Sequence, residues 1–212
     1  MIRIFVLLLC GYFCSLYAND GITQEQYINL ELCNDRNNLS CIQTINYLSV
    51  ACNGGGVVAC GVLGYMYENG IGFDVNFKEA KAYYEDSCNG DYNLSCVNLG
   101  NMYANGNGVK KDARKANQLF NKACKNNSAE GCINLGIAYF IGNEVRLNVQ
   151  KANELFSNAI EIYKESCKNN NAESCISLSL IYKDGLGNIQ KDEALAIKYQ
   201  NLTCSIDKNL CD

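Results

Sequence analysis

The sequence predicts an all-α fold of repeated helical hairpins, because its cysteines are regularly spaced and its apolar columns recur at a fixed period. Cys60, Cys96 and Cys132 follow one another at intervals of 36 residues, and Cys175 comes 43 residues later. A period of this length is typical of helical repeat solenoids. The spacing C-x7-C occurs five times and C-x6-C once, in the pairs Cys33/Cys41, Cys52/Cys60, Cys88/Cys96, Cys124/Cys132, Cys167/Cys175 and Cys204/Cys211.

The first 18 residues have the pattern of a secretory signal peptide. Arg3 supplies the positive charge, and residues 4–17 are largely apolar. Ala18 ends a segment that fits a signal-peptide cleavage site. About 14 apolar residues are too few for a bilayer core of roughly 30 Å, although an uncleaved anchor or a lipoprotein remains an alternative. We therefore expect a secreted or periplasmic protein with no membrane contact after cleavage. Twelve cysteines would remain, an even number that suits disulfides in an oxidising compartment.

The first helix of each repeat, helix A, is predicted from three columns. A cysteine, a leucine three residues later and a tyrosine seven residues later lie on one face of a helix. A glycine follows where a helix commonly ends. We expect the tyrosines to be core residues, with a stacking ladder as the alternative. The leucines are Leu63, Leu99, Leu135 and Leu178, the tyrosines Tyr67, Tyr103, Tyr139 and Tyr182, and the closing glycines Gly70, Gly106, Gly142 and Gly185.

The second helix, helix B, is predicted after a G-x-G turn. It carries an alanine followed by large apolar residues at helical spacing, and the alanines are Ala80, Ala116, Ala152 and Ala196. Helix A has a small residue at its middle, where bulk is removed so that two helices can approach closely. Those small residues are Gly64, Gly100, Gly136 and Ser179. The seven extra residues before Cys167 should lengthen helix B by almost two turns.

The cysteine spacing also constrains the chain between the two members of a pair. On one continuous helix the Cα atoms of Cys88 and Cys96 would lie roughly 12 Å apart, beyond the roughly 4.4 to 6.8 Å of a disulfide. A bond within C-x7-C therefore needs a turn, and it would staple helix B to the next helix A. Local pairing is one of many connectivities, and metal binding is a weaker alternative because zinc spacings are usually shorter.

Composition excludes several classes of function. The chain has no His, which removes imidazole-based metal sites and Ser-His-Asp triads. With a formal net charge of −4, the chain lacks the excess of positive charge that attracts phosphates, so nucleic acid is not an expected partner. We expect no cofactor and no metal.

Three segments of one repeat carry a resemblance to a known family. LGNMY at 99–103, GNGVKKD at 106–112 and KA at 115–116 resemble the Sel-one-like repeat, a relative of the tetratricopeptide repeat. The signal peptide and cysteine pairs make the chain similar to the secreted cysteine-rich bacterial branch of that family. The resemblance implies a right-handed α/α superhelix over residues 19–212, with a capping unit at about 24–52 and repeats at about 57–92, 93–128, 129–171 and 172–212.

The resemblance also implies a concave groove lined by the helices A. A peptide, a muropeptide or a penicillin-like β-lactam is the expected ligand, and a protein partner is possible. By register with tetratricopeptide repeats, the groove residues are Tyr65, Glu68, Asn69, Val97, Asn101, Asn105, Ile137, Phe140, Ile141, Leu180, Lys183 and Asp184, with Ala104 beside them.

The alternative is a β-lactamase, as members of this branch are commonly catalogued. The motif S-x-x-K occurs only at Ser205-Ile206-Asp207-Lys208, and the companion motifs S-D-N and K-T-G are absent. No catalytic residue can be named. Residues 91–95 resemble a bacterial glycosylation sequon at Asn93, with a plain turn as the simpler interpretation.

Overall fold

The computed structural model describes Cys33 and residues 39–210. The predicted signal peptide, Cys211 and all but Cys33 of the predicted capping unit before residue 39 lie outside the described residues. The chain divides into an N-terminal unit, which ends at Gly131, and a C-terminal unit, which begins at Cys132.

Within the described residues the secondary structure is helical apart from one isolated bridge between Leu186 and Ile189. The predicted all-α repeat class is confirmed. Helices α2, α4, α6 and α8 are the helices A, and α3, α5, α7 and α9 are the helices B. The helices are α1 (Leu39–Asn53), α2 (Val57–Asn69), α3 (Phe77–Asn89), α4 (Asn93–Asn105), α5 (Ala113–Lys125), α6 (Ala129–Ile141), α7 (Val149–Lys168), α8 (Ala172–Asp184) and α9 (Glu193–Ile206), followed by a 3-10 turn at Lys208–Leu210.

Successive helices pack against each other within each unit. In the N-terminal unit α1 contacts α2, and α2 to α5 pack in sequence; in the C-terminal unit α8 packs against both α7 and α9. The predicted leucine column is buried throughout. Each helix B begins at a side-chain cap, because Asn76, Asp112, Asn148 and Asp192 accept hydrogen bonds from backbone N–H groups of the first turn.

The mid-helix glycines do allow the close helix contact that the sequence predicts. A Cβ on Gly64 would lie 2.7 Å from the ring of Tyr84, and one on Gly100 would lie 2.5 Å from the ring of Phe120. In the C-terminal unit, a Cβ on Gly136 would lie 2.5 Å from the ring of Phe156. An aromatic ring of helix B therefore fills the space that each glycine of helix A leaves.

The tyrosine column is less buried than predicted. Tyr103 is buried, whereas Tyr67, Tyr139 and Tyr182 are only half-buried. Two of them stack on the helix B of their own repeat, with ring centroids 5.6 Å apart for Tyr67 and Tyr83 and 5.7 Å apart for Tyr182 and Tyr199. Tyr67 also stacks on Phe73, with ring centroids 4.0 Å apart.

Three of the disulfides, Cys52–Cys60, Cys88–Cys96 and Cys167–Cys175, join the end of one described helix to the start of the next, and the predicted turn lies between the two cysteines. Their Cα–Cα distances are 4.7 to 4.9 Å. Left-handed residues make the turn, as at Asp91 with φ 67° and Asn170 with φ 64°. The bonded pairs are Cys33–Cys41, Cys52–Cys60, Cys88–Cys96 and Cys167–Cys175, and Cys124, Cys132 and Cys204 are disulfide-bonded as well.

Helix α7 absorbs the insertion before Cys167, as predicted. It has 20 residues, against 13 in α3 and in α5. Its additional turns bury Ala159, Ile160 and Tyr163. None of the described helices is long and apolar enough to cross a membrane.

Candidate ligand-binding faces

In the N-terminal unit, the predicted groove residues lie on α2 and α4, which contact each other. Tyr65 and Glu68 are half-buried, and Asn69 and Asn105 are exposed. Asn101 is half-buried. Val97 is only 5% exposed, so it belongs to helix packing and offers a ligand little surface. This face is therefore dominated by amide, carboxylate and phenol groups.

A buried hydroxyl organises this polar face. Tyr84 of α3 is fully buried, and its hydroxyl donates a 2.7 Å hydrogen bond to Oε2 of Glu68. The Asn98 side chain of α4 also hydrogen-bonds to Tyr84. Burial, reinforced by the nearby Glu68 carboxylate, raises the pKa of Tyr84 far above the ordinary value for tyrosine. Burial and Glu68 also raise the pKa of Tyr65. The Tyr84 hydroxyl therefore stays protonated and orients Glu68.

Sequence reasoning missed Tyr84 and Asn98 as members of this face. Tyr84 occupies a position that is Phe120 and Phe156 in the next two repeats. A buried tyrosine needs a partner for its hydroxyl, whereas phenylalanine does not. The sequence feature that could have identified Tyr84 is therefore its hydroxyl, which the phenylalanines at this position in the next two repeats lack.

In the C-terminal unit, the predicted residues on α6 form an apolar face. Ile137, Phe140 and Ile141 have spacings of three and four, which place them on one side of a helix. They are 42%, 44% and 60% exposed. The ring of Phe140 lies against the buried ring of Phe156, with centroids 6.5 Å apart. Clustered exposed apolar side chains of this kind mark interaction sites.

The remaining predicted residues lie on α8, and all three are exposed. Leu180 and Lys183 line a cavity between α8 and α9. Asp184 is the last residue of α8 and does not line that cavity.

Comparison with known protein families gives one match. The Sel1 repeat matches four consecutive segments, at residues 57–92, 93–128, 129–169 and 172–199. Together these segments cover more than half of the chain.

The chain belongs to the Sel1 repeat family.

Solved structures support the same fold for this Sel1 repeat protein. A Sel1 repeat protein from Oxalobacter formigenes is 21% identical with a TM-score of 0.53, covering 86% of this chain and 71% of that one. A protective antigen of uropathogenic Escherichia coli with an SLR fold, c5321, is 24% identical with a TM-score of 0.50, covering 77% of this chain. This match spans only 34% of the antigen. A putative Sel1 repeat protein from Klebsiella pneumoniae is 17% identical with a TM-score of 0.50, covering 74% and 71%. Comparison with curated proteins gives no match.

The serine of the S-x-x-K motif of this Sel1 repeat protein bonds within its own helix. Ser205 is exposed, and its hydroxyl donates a 2.7 Å hydrogen bond to the carbonyl of Leu202 in its own helix. A serine nucleophile is instead hydrogen-bonded to a general base. Among the described residues there is also no cluster of three or more His, Cys, Asp or Glu side chains that could hold a metal ion.

Asn93 has a structural role at the start of α4. Its Nδ2 donates a 2.7 Å hydrogen bond to the carbonyl of Asn126, and its Oδ1 is buried. The amide nitrogen that glycosylation would use is therefore engaged in the fold. The turn expected here ends before Asn93, which is the first residue of α4.

Proposed function

We propose that this Sel1 repeat protein is an exported scaffold that binds an extended peptide, or the peptide part of a cell-wall fragment, on the exposed faces of its helices A. The observation that carries the proposal is the apolar face of Ile137, Phe140 and Ile141 on α6. Each of these side chains keeps about half its surface in water. Covering them would contribute on the order of 1 kcal/mol apiece.

The central ring of the α6 face packs against a buried ring. Phe140 rests on Phe156, and Phe156 is itself packed against Gly136 and Gly187. A face that needs no rearrangement loses less entropy on binding than a flexible one. This rigidity favours a binding surface over an incidental exposed patch.

The polar face of the N-terminal unit suits a peptide backbone. Glu68 is oriented by Tyr84 and can accept further N–H donors, because a carboxylate has two acceptor oxygens. Asn69 and Asn105 are exposed beside it and offer both donors and acceptors. Backbone amides of an extended ligand present the complementary groups.

Export is proposed from the disulfides and the signal-like N-terminus. Structural disulfides persist in oxidising compartments and are rare in the cytosol. The bonded cysteines clip consecutive helices in both units. We therefore place the protein in the periplasm or outside the cell.

A peptide array probed with the oxidised chain tests the proposal. The variant Ile137→Ser/Phe140→Ser/Ile141→Ser should lose at least about tenfold in affinity for the peptides that bind. Val50→Ser is the matched control, because Val50 is an exposed apolar residue on α1, outside the helices A. Retained binding by the triple variant, or an array without any binding, would refute the proposal.

Labelled penicillin and a chromogenic cephalosporin extend the test to β-lactams. Saturable binding without turnover is the expected result if a β-lactam mimics the peptide end of a cell-wall fragment. Multiple turnover that is lost in Ser205→Ala would establish hydrolysis and contradict a scaffold role.

A further inference from the structure

The last repeat lacks the glycine-and-ring contact of the other three. Ser179 stands where they have glycine, and Gln200 stands where they have Tyr84, Phe120 and Phe156, four residues after the helix-B alanine. The Ser179 hydroxyl donates a 2.9 Å hydrogen bond to the carbonyl of Ala196. A glutamine is slimmer than an aromatic ring, so the substitution leaves open the space that the ring occupies elsewhere.

A cavity of about 450 Å³ lies at that place between α8 and α9. Both substituted residues, Ser179 and Gln200, line it. The other lining residues are Leu180, Lys183, Lys191, Glu193, Ala196 and Ile197. The cavity thus lies where the changed pair leaves space between the two helices.

The lining combines an apolar wall with unpaired positive charge. Leu180 and Ile197 are exposed aliphatic side chains on opposite helices. Lys183 and Lys191 form no ion pair or hydrogen bond within the part of the chain that the structure describes. Glu193 is the single acid among the lining residues, so the lysines leave a net positive charge. Such a site attracts an anion attached to an aliphatic group.

We propose that this cavity binds the free C-terminal carboxylate of a peptide together with its last, aliphatic side chain. Lys183 and Lys191 hold the carboxylate, and Leu180 and Ile197 cover the side chain. This deepens the proposed function and rests on it, because Leu180 and Lys183 are also residues of the α8 binding face.

Polar groups in the lining favour a peptide over a fatty acid. Glu193 and the side-chain oxygen of Gln200 can accept N–H groups of a peptide backbone. The amide nitrogen of Gln200 donates to the carbonyl of Leu210 at 3.5 Å, so this carboxamide is anchored. An alkyl chain would cover these acceptors without bonding to them, and burying a polar group without a hydrogen-bond partner is unfavourable.

The test titrates the oxidised, isotope-labelled full chain with three probes and follows backbone amide signals by NMR. The probes are acetyl-Ala-Ala-Val with a free carboxylate, the same peptide as its C-terminal amide, and hexanoate. The free acid should shift amides in α8 and at the start of α9, and it should bind at least about tenfold more tightly than the amide, because a charge-assisted pair is lost in the amide.

Three variants locate the binding. Ser179→Gly/Gln200→Phe rebuilds the pair of the other repeats, so it should fill the cavity, keep the fold and abolish the shifts. Lys183→Gln/Lys191→Gln should remove the preference for the free acid. Lys198→Gln is the matched control, because Lys198 is an exposed lysine of α9 that does not line the cavity, and it should bind like the parent chain.

Equal affinity for acid and amide, absent shifts with the free acid, or undiminished binding in the Ser179→Gly/Gln200→Phe variant would overturn the cavity proposal. Tighter binding of hexanoate than of the peptide acid would overturn the choice of a peptide. The triple variant on α6 reports on the proposed function separately, since none of its residues lines this cavity.

Discussion

Tyr84 shows how one hydroxyl changes the chemistry of a repeat. Its ring fills the space above Gly64, as the phenylalanines do in later repeats, while its hydroxyl reaches Glu68. Burial raises its pKa far above the ordinary value of about 10. The folded state therefore keeps this proton at pH values at which the unfolded chain loses it.

The stability of the N-terminal unit should consequently fall in alkaline solution. The contribution of Tyr84 is complete below about pH 10 and is lost as the pH rises from there towards the raised folded-state pKa, by up to about 1.4 kcal/mol per pH unit. Tyr84→Phe should lose less stability between about pH 9 and 11, as measured by urea unfolding. Tyr83→Phe is the control and should keep the parent's steep loss. If the unfolding free energies of the parent and of Tyr84→Phe fell equally with pH, the assignment of this loss to Tyr84 would be contradicted.

Two glycines of one turn should differ in their tolerance of a side chain. Gly106 and Gly108 both have positive φ, 84° and 64°. A Cβ on Gly106 meets nothing closer than 3.5 Å, whereas one on Gly108 would collide with Cβ of Phe77. Gly106→Ala should cost about 1 kcal/mol in unfolding free energy, and Gly108→Ala at least about 2 kcal/mol more. Equal losses in denaturant unfolding would refute the close contact at Phe77.

Sequence patterns predicted the positions of the groove residues better than their exposure. The repeat register placed Ile137, Phe140 and Ile141 on α6, where they are exposed. It also selected Val97, which is only 5% exposed. A register gives the direction of a side chain along its helix, whereas exposure depends on what the neighbouring elements cover.

At the scale of the helices, the glycine-and-ring contact sets how closely A and B approach. Gly100 and Phe120 join α4 to α5 in this way. The sequence predicted the small residue and its purpose. It did not predict the cavity at Ser179 and Gln200, because open space between two helices depends on how their side chains pack and not on the repeat pattern alone.

Gly100→Ala should destabilise the protein although alanine favours helices. The gain in helix propensity is about 1 kcal/mol, but the overpacking against Phe120 should cost about 1 to 3 kcal/mol more than that gain. Phe120→Leu alone should be destabilising, and the double variant should be more stable than the sum of the two losses predicts. Gln118→Ala, an exposed change on α5, is the control. Additive losses in a double-mutant cycle would contradict the contact.

At the scale of the whole chain, a local disulfide spans the junctions α1–α2, α3–α4 and α7–α8. Loops of this size contribute about 2 to 3 kcal/mol per bond in the chain-entropy model. The C-x7-C spacing predicted the turn at each junction, because a continuous helix would hold the sulfurs too far apart. Spacing alone did not determine the pairing, since many connectivities satisfy the same count of cysteines.

Removing one disulfide should therefore weaken the chain without abolishing the fold. Cys88→Ser/Cys96→Ser should lose about 2 to 3 kcal/mol of unfolding free energy and retain its helical circular dichroism. In an oxidising buffer the single variant Cys88→Ser should lose more unfolding free energy than the double variant, because the free thiol of Cys96 can attack another disulfide. Unchanged stability of the double variant would show that the bond does not constrain the unfolded chain.

Peptide mapping of the oxidised chain under non-reducing conditions tests most directly that local disulfides link consecutive helical hairpins. The account predicts linked peptides that join Cys33 to Cys41, Cys52 to Cys60, Cys88 to Cys96 and Cys167 to Cys175. Peptides that join cysteines of different pairs, or free thiols at these positions, would contradict it.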